Sequence, residues 1–407
     1  MADELFTRLL PVLQHAYENA PAVRQIFARA GLTVDDIRSL ADLERLPITS
    51  KDHLAQLQVE NPPFGGFLAV REQELQHVFF SPGPIYEPHA AESALLDTVS
   101  EILKVAEIGK GDIALNAFSY HLIPSGIALD ECLRKQGAIV IPAGVGNADL
   151  QVKMMFDLHA TAYLGTPSWL MALIKKAEEL GFDFRRQFAL RKAVVSAEPL
   201  PPSLRQALVD QYGLAVTNAY GTAELGFLAY NQEGGLAMRL LESSLVQVAN
   251  PETGATVAPG DTGEVVVTSL NTTFPLLRLG TGDLAINLDP RPAESRQAER
   301  AIILVGRLGE AVKVRGMFVH PNQLRFAIAQ VGGIARFQAV VTRHAHRDSL
   351  TLRLAAADPS ADRGTLSGAV EYAVRSACRL SVDQFVFLEA GEIDPQAPPI
   401  LDERKWE

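Results

Sequence analysis

Two cysteines, Cys132 and Cys378, serve a chain of 407 residues. They are too few for a disulfide framework and lack metal-ligand spacing, so each is expected to be a buried free thiol. Positive charge is also short: 37 Lys and Arg against 48 Asp and Glu leave a net charge of -11. Binding a phosphate backbone requires a cationic surface, which argues against a nucleic-acid partner. The pairs Lys175-Lys176 and Arg185-Arg186 read as solvated helix ends. No uncharged apolar run reaches the roughly 20 residues of a membrane-spanning helix. Met1–Phe6 is acidic and lacks the basic start of a secretory leader. No internal repeat or low-complexity tract is visible. Together these absences predict a cytoplasmic protein in a reducing compartment, without a membrane partner.

What is present is ordinary for a soluble globular enzyme: 47% hydrophobic and 21% charged residues, in a chain long enough for two or three domains. Leu5 to Ala30 carries apolar residues at helical spacing, broken at Pro21 and stopped near Gly31, which predicts two short helices. Thr33–Asp36 offers a capped helix start, and Pro47–Asp52 a further entry into a helix. Helices are predicted over 91–105, 126–135, 154–161, 168–180 and 203–212, and strands over 112–116, 138–142 and 192–196. That alternation predicts a largely parallel sheet covered by helices. Beyond residue 235 come short β-branched runs (244–248, 263–269, 301–305) between Pro/Gly turns, which predict antiparallel strands. Asp289–Arg300 reads as an exposed polar loop. The last hundred residues predict a small α+β unit: helices over 321–330 and 366–378, strands over 337–341, 350–355 and 385–388.

Several short motifs carry chemistry. In Asn218-Ala219-Tyr220-Gly221-Thr222-Ala223-Glu224, a glycine turn lets backbone approach a phosphate, Thr222 offers a hydroxyl donor and Glu224 a magnesium ligand. A strand–loop junction with a surface glutamate has the same composition. Thr281-Gly282-Asp283 places a carboxylate after a glycine turn, where it could accept bonds from ribose hydroxyls. Gly306-Arg307, followed by Lys313-Val314-Arg315-Gly316, supplies a planar cation suited to ribose or phosphate, or equally to a surface ion pair. Ser196-Ala197-Glu198-Pro199 ends a buried strand and also reads as an ordinary turn.

Taken together and in this order, these segments resemble the phenylacetate–CoA ligase branch of the adenylate-forming, AMP-binding superfamily. Further matching stretches are His15–Glu18, Pro47–Lys51, Asn61–Phe67, Phe118–His121 and Gly391–Ile393, so the likeness spans nearly the whole chain. It implies an α/β fold: a large N-terminal domain (1–307) and a small mobile α+β domain (308–407). The large domain would comprise a helical entry region (1–90), an α/β core (91–235) and a β-rich part (236–307). The resemblance implies a ligase that activates an aromatic or related carboxylic acid with ATP and magnesium, then passes the acyl group to CoA. Ser196, Ala197, Glu198, Pro199 and Ala219 would line the adenine site, with Tyr220 stacking on the base beside Gly221. Thr222 would face the α-phosphate, Glu224 would bind magnesium, and Asp283 with Arg307 would hold the ribose. Thr222, Glu224 and Arg307 would be the catalytic groups. Phe118, Tyr120 and His121 would border the acyl pocket, although His121 also reads as a core histidine. The hinge between domains would fall at Leu308-Gly309. A homodimer is the expectation for soluble enzymes in general.

Two stretches depart from the family pattern. The Ser/Thr/Gly-rich phosphate loop with its lysine is replaced by Ser81-Pro82-Gly83-Pro84-Ile85-Tyr86-Glu87-Pro88, where prolines remove backbone donors and Glu87 stands at the lysine position. Asp394–Pro399 occupies the region of the C-terminal lysine, and Lys405 is the one nearby candidate. Loss of both cations would weaken stabilisation of the departing pyrophosphate. The alternative is therefore a catalytically reduced relative that binds AMP, an acyl-adenylate or acyl-CoA, or uses only the thioester half-reaction.

Overall fold

The protein is described from a computed structural model covering residues 4–81, 85–91, 94–292, 294–315, 317–344, 347–378, 380–389 and 391–404. Pro82–Pro84, Gly316 and Lys405, named above, lie outside the described residues. The chain forms two compact units. One comprises Met1–Gln247, Val266–Thr281 and Asp289–Ile302; the other comprises Val248–Val265, Gly282–Leu288 and Ile303–Glu407.

The first unit opens with helices Glu4–Asn19 and Pro21–Arg29, as predicted, with Pro21 at the first turn where its missing N–H costs nothing. Thr33 starts only a 3-10 turn, Val34–Asp36, rather than a full helix. Ser50 caps the helix Lys51–Glu60 by accepting from His53 N–H at 3.1 Å. The hairpin Leu75–Ser81/Ile85–Ala90, with no counterpart in the sequence prediction, follows.

The core sheet has strands β1 (Ile113–Asn116), β2 (Ile139–Ile141), β3 (Ala162–Gly165), β4 (Lys192–Val195), β5 (Ala215–Thr222), β6 (Gly226–Asn231) and β7 (Met238–Leu240) in the order β7-β6-β5-β4-β3-β1-β2. β2, β1, β3, β4 and β5 run parallel; β5–β6 and β6–β7 are antiparallel. The parallel α/β expectation is thus met, although of the parallel strands only β1, β2 and β4 were predicted, and β3 and β5 were not. Successive strand residues face opposite sides: Ala114, Leu164 and Val194 enter one buried cluster, while Leu115, Tyr163 and Val195 enter another. Helices α1 (Ala94–Val105) and α2 (Ser125–Lys135) cover the first face; α3 (Ala148–Asp157) and α4 (Pro167–Glu179) cover the second.

Helix α3 starts six residues before its predicted start at Met154, because Asn147 takes the left-handed conformation (φ 57°) that sets the helix entry at Ala148. The predicted exposed loop Asp289–Arg300 holds for most of its described residues, with one exception. It contains the turn Gln297–Glu299, and Gln297 is buried, accepting from Val246 N–H at 2.8 Å and donating to the carbonyls of Leu241 and Ser244.

The second unit contains a four-stranded sheet of Ile334–His344, Arg347–Ala356, Gln384–Phe387 and Ile400–Asp402, packed with helices Pro321–Ala329 and Arg363–Cys378. Leu352, Leu354, Val370 and Val374 form its centre, as expected for an α+β unit. Both cysteines are buried free thiols; burial raises the Cys132 thiol and pushes that of Cys378 up to about 12.

Candidate active site

In the first unit the predicted residues converge on the carboxyl ends of the parallel strands. Gly165 pairs with Val195, and Val195 with Asn218, so Ser196 lies one step beyond the end of β4, and Ala219, within β5, lies one step beyond its parallel pairing. Ser196 N–H donates to the Gly165 carbonyl at 3.1 Å. β5 has a parallel neighbour on one side and an antiparallel one on the other; open α/β sheets take ligands in the crevice outside the carboxyl ends of their strands. Ala197 adopts φ 70°, a left-handed conformation that costs an alanine about 1–2 kcal/mol and gathers at functional sites. Glu198 accepts from Ser168 N–H at 2.7 Å in the first turn of α4, and Pro199 is exposed.

The motif Tyr220–Glu224 is less of a loop than the sequence implied, since β5 runs through Thr222 and turns straight into β6. Gly221 is required there: a Cβ would stand 2.3 Å from the Gly226 carbonyl oxygen and 2.9 Å from Phe227 Cα, both backbone atoms. Tyr220 is half-buried, its hydroxyl 3.5 Å from Thr281 Oγ1. The Thr222 hydroxyl is buried without a hydrogen-bond partner. The Glu224 carboxylate has 1% side-chain exposure and receives Lys51 Nζ at 2.9 Å. Lys51 stands out in the sequence only as part of the matching stretch Pro47–Lys51; a pairing across 173 positions leaves no local signal.

Phe118 packs into the buried cluster on the α1/α2 face and Tyr120 is half-buried. Asn116 Nδ2 donates to the Tyr120 hydroxyl at 2.9 Å, and that hydroxyl donates to Asp130 at 3.1 Å. Burial, with Asp130 beside it, holds the Tyr120 phenol well above its ordinary pKa. His121 is exposed, which overturns the core-histidine reading. In the phosphate-loop stretch, Ser81 and Glu87 each have 1% exposure, and the Ser81 hydroxyl and both Glu87 oxygens have no hydrogen-bond partner. His89 Nε2 stands 3.9 Å from Glu87. Gln58 grips the neighbouring backbone, donating to Tyr86 O at 2.8 Å and accepting from Tyr86 N–H at 2.7 Å.

In the second unit, Arg307 Nε lies 3.2 Å from Asp283 Oδ1. The strand Ala301–Arg307 extends through the Gly-Arg motif. Glu264, buried on the strand Thr262–Ser269, accepts from Gly282 N–H at 2.9 Å; the glycine turn expected before Asp283 is instead part of the strand Leu279–Leu288, where Gly282 takes φ 76°. Burial is the main reason the Glu264 carboxyl is raised, with Asp283 adding to it and the Gly282 bond opposing. Sequence reading missed Glu264, which looks like any polar residue in a β-branched run.

A family model described as AMP-binding enzyme matches residues 91–273. The chain is 30% identical over 366 residues to a phenylacetate-coenzyme A ligase of Escherichia coli (strain K12), spanning 85% of this chain and 80% of that protein. It is 28% identical over 364 residues to the phenylacetate-coenzyme A ligase of Thermus thermophilus, spanning 86% and 80%. The fold matches the open conformation of a 2-hydroxyisobutyryl-CoA ligase, solved with 2-HIB-AMP and CoA, with a TM-score of 0.76 at 24% identity over 98% of this chain and 91% of that one. The ordered motifs, the parallel sheet and the extent of these matches agree: the chain belongs to the phenylacetate–CoA ligase-like branch of the adenylate-forming superfamily.

Proposed function

We propose that this protein is a carboxylate–CoA ligase acting through an acyl-adenylate. The observation that carries the reading is the unpartnered Thr222 hydroxyl two residues from the Glu224–Lys51 pair, at the strand ends where the sheet changes from parallel to antiparallel. A hydroxyl and a carboxylate are hard oxygen donors, which suits phosphate and magnesium. Glu224, together with oxygens of the nucleotide, would hold magnesium, which supplies charge neutralisation at the phosphates. Tyr220 would stack on adenine beside Ser196–Pro199, Ala219 and Gly221. Thr222 would donate to an α-phosphate oxygen, and Asp283 with Arg307 would hold the ribose hydroxyls. These contacts fix the α-phosphorus for in-line attack by a carboxylate oxygen, with the bond to pyrophosphate breaking. The CoA sulfur then attacks the acyl carbon, AMP leaves with the bonding pair, and the thiol proton passes to solvent. Phe118, Tyr120 and His121 would border the acid.

The division at residues 307/308, with its hinge in the turn Leu308–Glu310, belongs to this reading, as do a cytoplasmic location and a homodimer, which light scattering would measure. Among the described residues, no helix is long and apolar enough to cross a membrane.

Glu87 favours a second reading. Its buried carboxylate, with neither oxygen hydrogen-bonded, occupies a stretch where the family places a cation, and it would repel a triphosphate. The chain would then bind AMP, acyl-adenylate or acyl-CoA, and carry out at most the thioester half-reaction. Calorimetric titration of ATP and AMP with magnesium, followed by ATP–pyrophosphate exchange across a panel of acids, separates the two. Comparable binding and exchange support the ligase. AMP binding with much weaker ATP, and turnover only of a supplied acyl-adenylate with CoA, support the second reading. Binding of neither nucleotide refutes the nucleotide-site assignment.

A further inference from the structure

The Arg307–Asp283 pair has too much solvent around it to set its own geometry. Arg307 keeps 61% side-chain exposure and Asp283 21%, and pairs of that kind contribute about 0–1 kcal/mol. What orients the arginine lies beneath it. His320, fully buried immediately before the helix Pro321–Ala329, accepts a hydrogen bond at Nε2 from Arg307 N–H, 3.2 Å away. An imidazole accepting at Nε2 is neutral, with its proton on Nδ1.

The ring also occupies the space beside Gly306. That glycine has φ 145°, and a Cβ on it would fall 1.9 Å from His320 Cε1 and 2.0 Å from Nε2. The glycine of the Gly-Arg motif therefore makes room for this imidazole. The His320 backbone is held in place: its backbone N–H donates to Gln323 Oε1 at 2.9 Å, and Gln323 Nε2 donates to Thr262 Oγ1 at 2.6 Å. Thr262 begins the strand that carries Glu264, which holds Gly282 N–H. Two buried side chains of the same unit thus each grip a backbone N–H at or beside one member of the pair.

We propose that His320 is a positioning residue for nucleotide binding, acting through the Arg307 backbone to hold the guanidinium where it meets the ribose. The proposal rests on the nucleotide-site reading above. Neither packing nor a generic cap requires an acceptor at Nε2; a phenylalanine would fill the same space without one.

The test is calorimetric titration of AMP with magnesium into the wild type, His320→Phe, His320→Gln, Arg307→Ala and the double variant H320F/R307A, with melting temperatures recorded for each. Phe keeps the ring volume and loses the acceptor, whereas Gln can place an oxygen near the Nε2 position. The expected results are a Kd for AMP about tenfold weaker in H320F, as for one lost hydrogen bond to a positioned group, and recovery of most of that in H320Q. In the R307A background the H320F change should have no further effect on AMP, because both act through one side chain. If H320F does not fold, His320→Asn serves in its place, since its amide is too short to reach the Nε2 position. Equal Kd values for H320F and wild type, or effects of H320F and R307A that simply add, would overturn the proposal. A wild type that binds no AMP refutes the nucleotide site itself, and His320 loses its role with it. That failure shows before any variant is compared.

Discussion

Substituting Lys51 by methionine would leave Glu224 as a carboxylate with 1% side-chain exposure and without the cation now 2.9 Å away. At an effective dielectric near 20, two unit charges at that separation attract by about 6 kcal/mol. Desolvation of both groups and the entropy of fixing the lysine offset much of this. Lys51 retains 23% side-chain exposure, so breaking the pair should cost about 2–4 kcal/mol, at or below the usual range for stranding a buried charge. For a domain of this size each kcal/mol moves the melting temperature by about 1–3 °C, which puts the expected fall at about 2–12 °C. The double variant K51M/E224Q removes both charges and should regain most of the loss, giving a large coupling energy. Scanning calorimetry on wild type, K51M, E224Q and the double variant in magnesium-free buffer measures all four corners. Adding magnesium and AMP should then recover part of the K51M deficit, because a second cation reaches the same carboxylate. A K51M protein melting within about 1 °C of wild type, or a double variant no more stable than K51M, would refute the assignment of Lys51 as the partner that stabilises Glu224.

Three further outcomes follow from the geometry. Gly221→Ala drives a Cβ to 2.3 Å from the Gly226 carbonyl oxygen; it should cost about 1–3 kcal/mol and abolish AMP binding, read by melting temperature and titration. The Glu264 carboxyl, raised chiefly by burial, destabilises the fold as pH rises through its folded-state value, so Glu264→Gln, which keeps an acceptor for Gly282, should gain in melting temperature relative to wild type from acid to neutral pH. Asp112 is the reverse case: burial alone would raise it, but bonds from Gly109 N–H, Lys192 and Thr161 outweigh burial and lower it. Its contribution is present above the unfolded pKa and disappears as pH falls through the folded one, so Asp112→Asn should be destabilised at neutral pH and match wild type in acid.

The parallel sheet was legible because buried strands and amphipathic helices carry different periods, and Lys192–Val195 fell where its apolar run placed it. Ala162–Gly165 was not, since four apolar residues between helices carry too little period to separate strand from helix end. The hairpin Leu75–Ser81/Ile85–Ala90 hides for a related reason: it contains Pro88 and exposes Val78, Phe80 and Tyr86, so neither composition nor alternation marks it. In the candidate site, residues inside short motifs such as Thr222 were legible. Their supports were not. Lys51, Glu264 and His320 act across long sequence separations, and each alone reads as a common surface or strand residue. Gln297 shows the same limit in the core, where a polar side chain in a polar stretch turns inward because three backbone groups need it.

The helix Lys51–Glu60 touches two places at once: Lys51 at its first turn meets Glu224, and Gln58, two turns on, grips the backbone of Tyr86. Seven residues at 1.5 Å each make it a ruler of about 10 Å, spanning from the Glu224 carboxylate to the hairpin strand that carries Tyr86. The two stations are therefore mechanically coupled. One inserted residue between them would turn Gln58 by about 100° around the axis and release the hairpin while leaving Lys51 in place. The distance between the Glu224 carboxylate and the hairpin is thus set by helix length, and the two ends can change in sequence independently only while that length is kept.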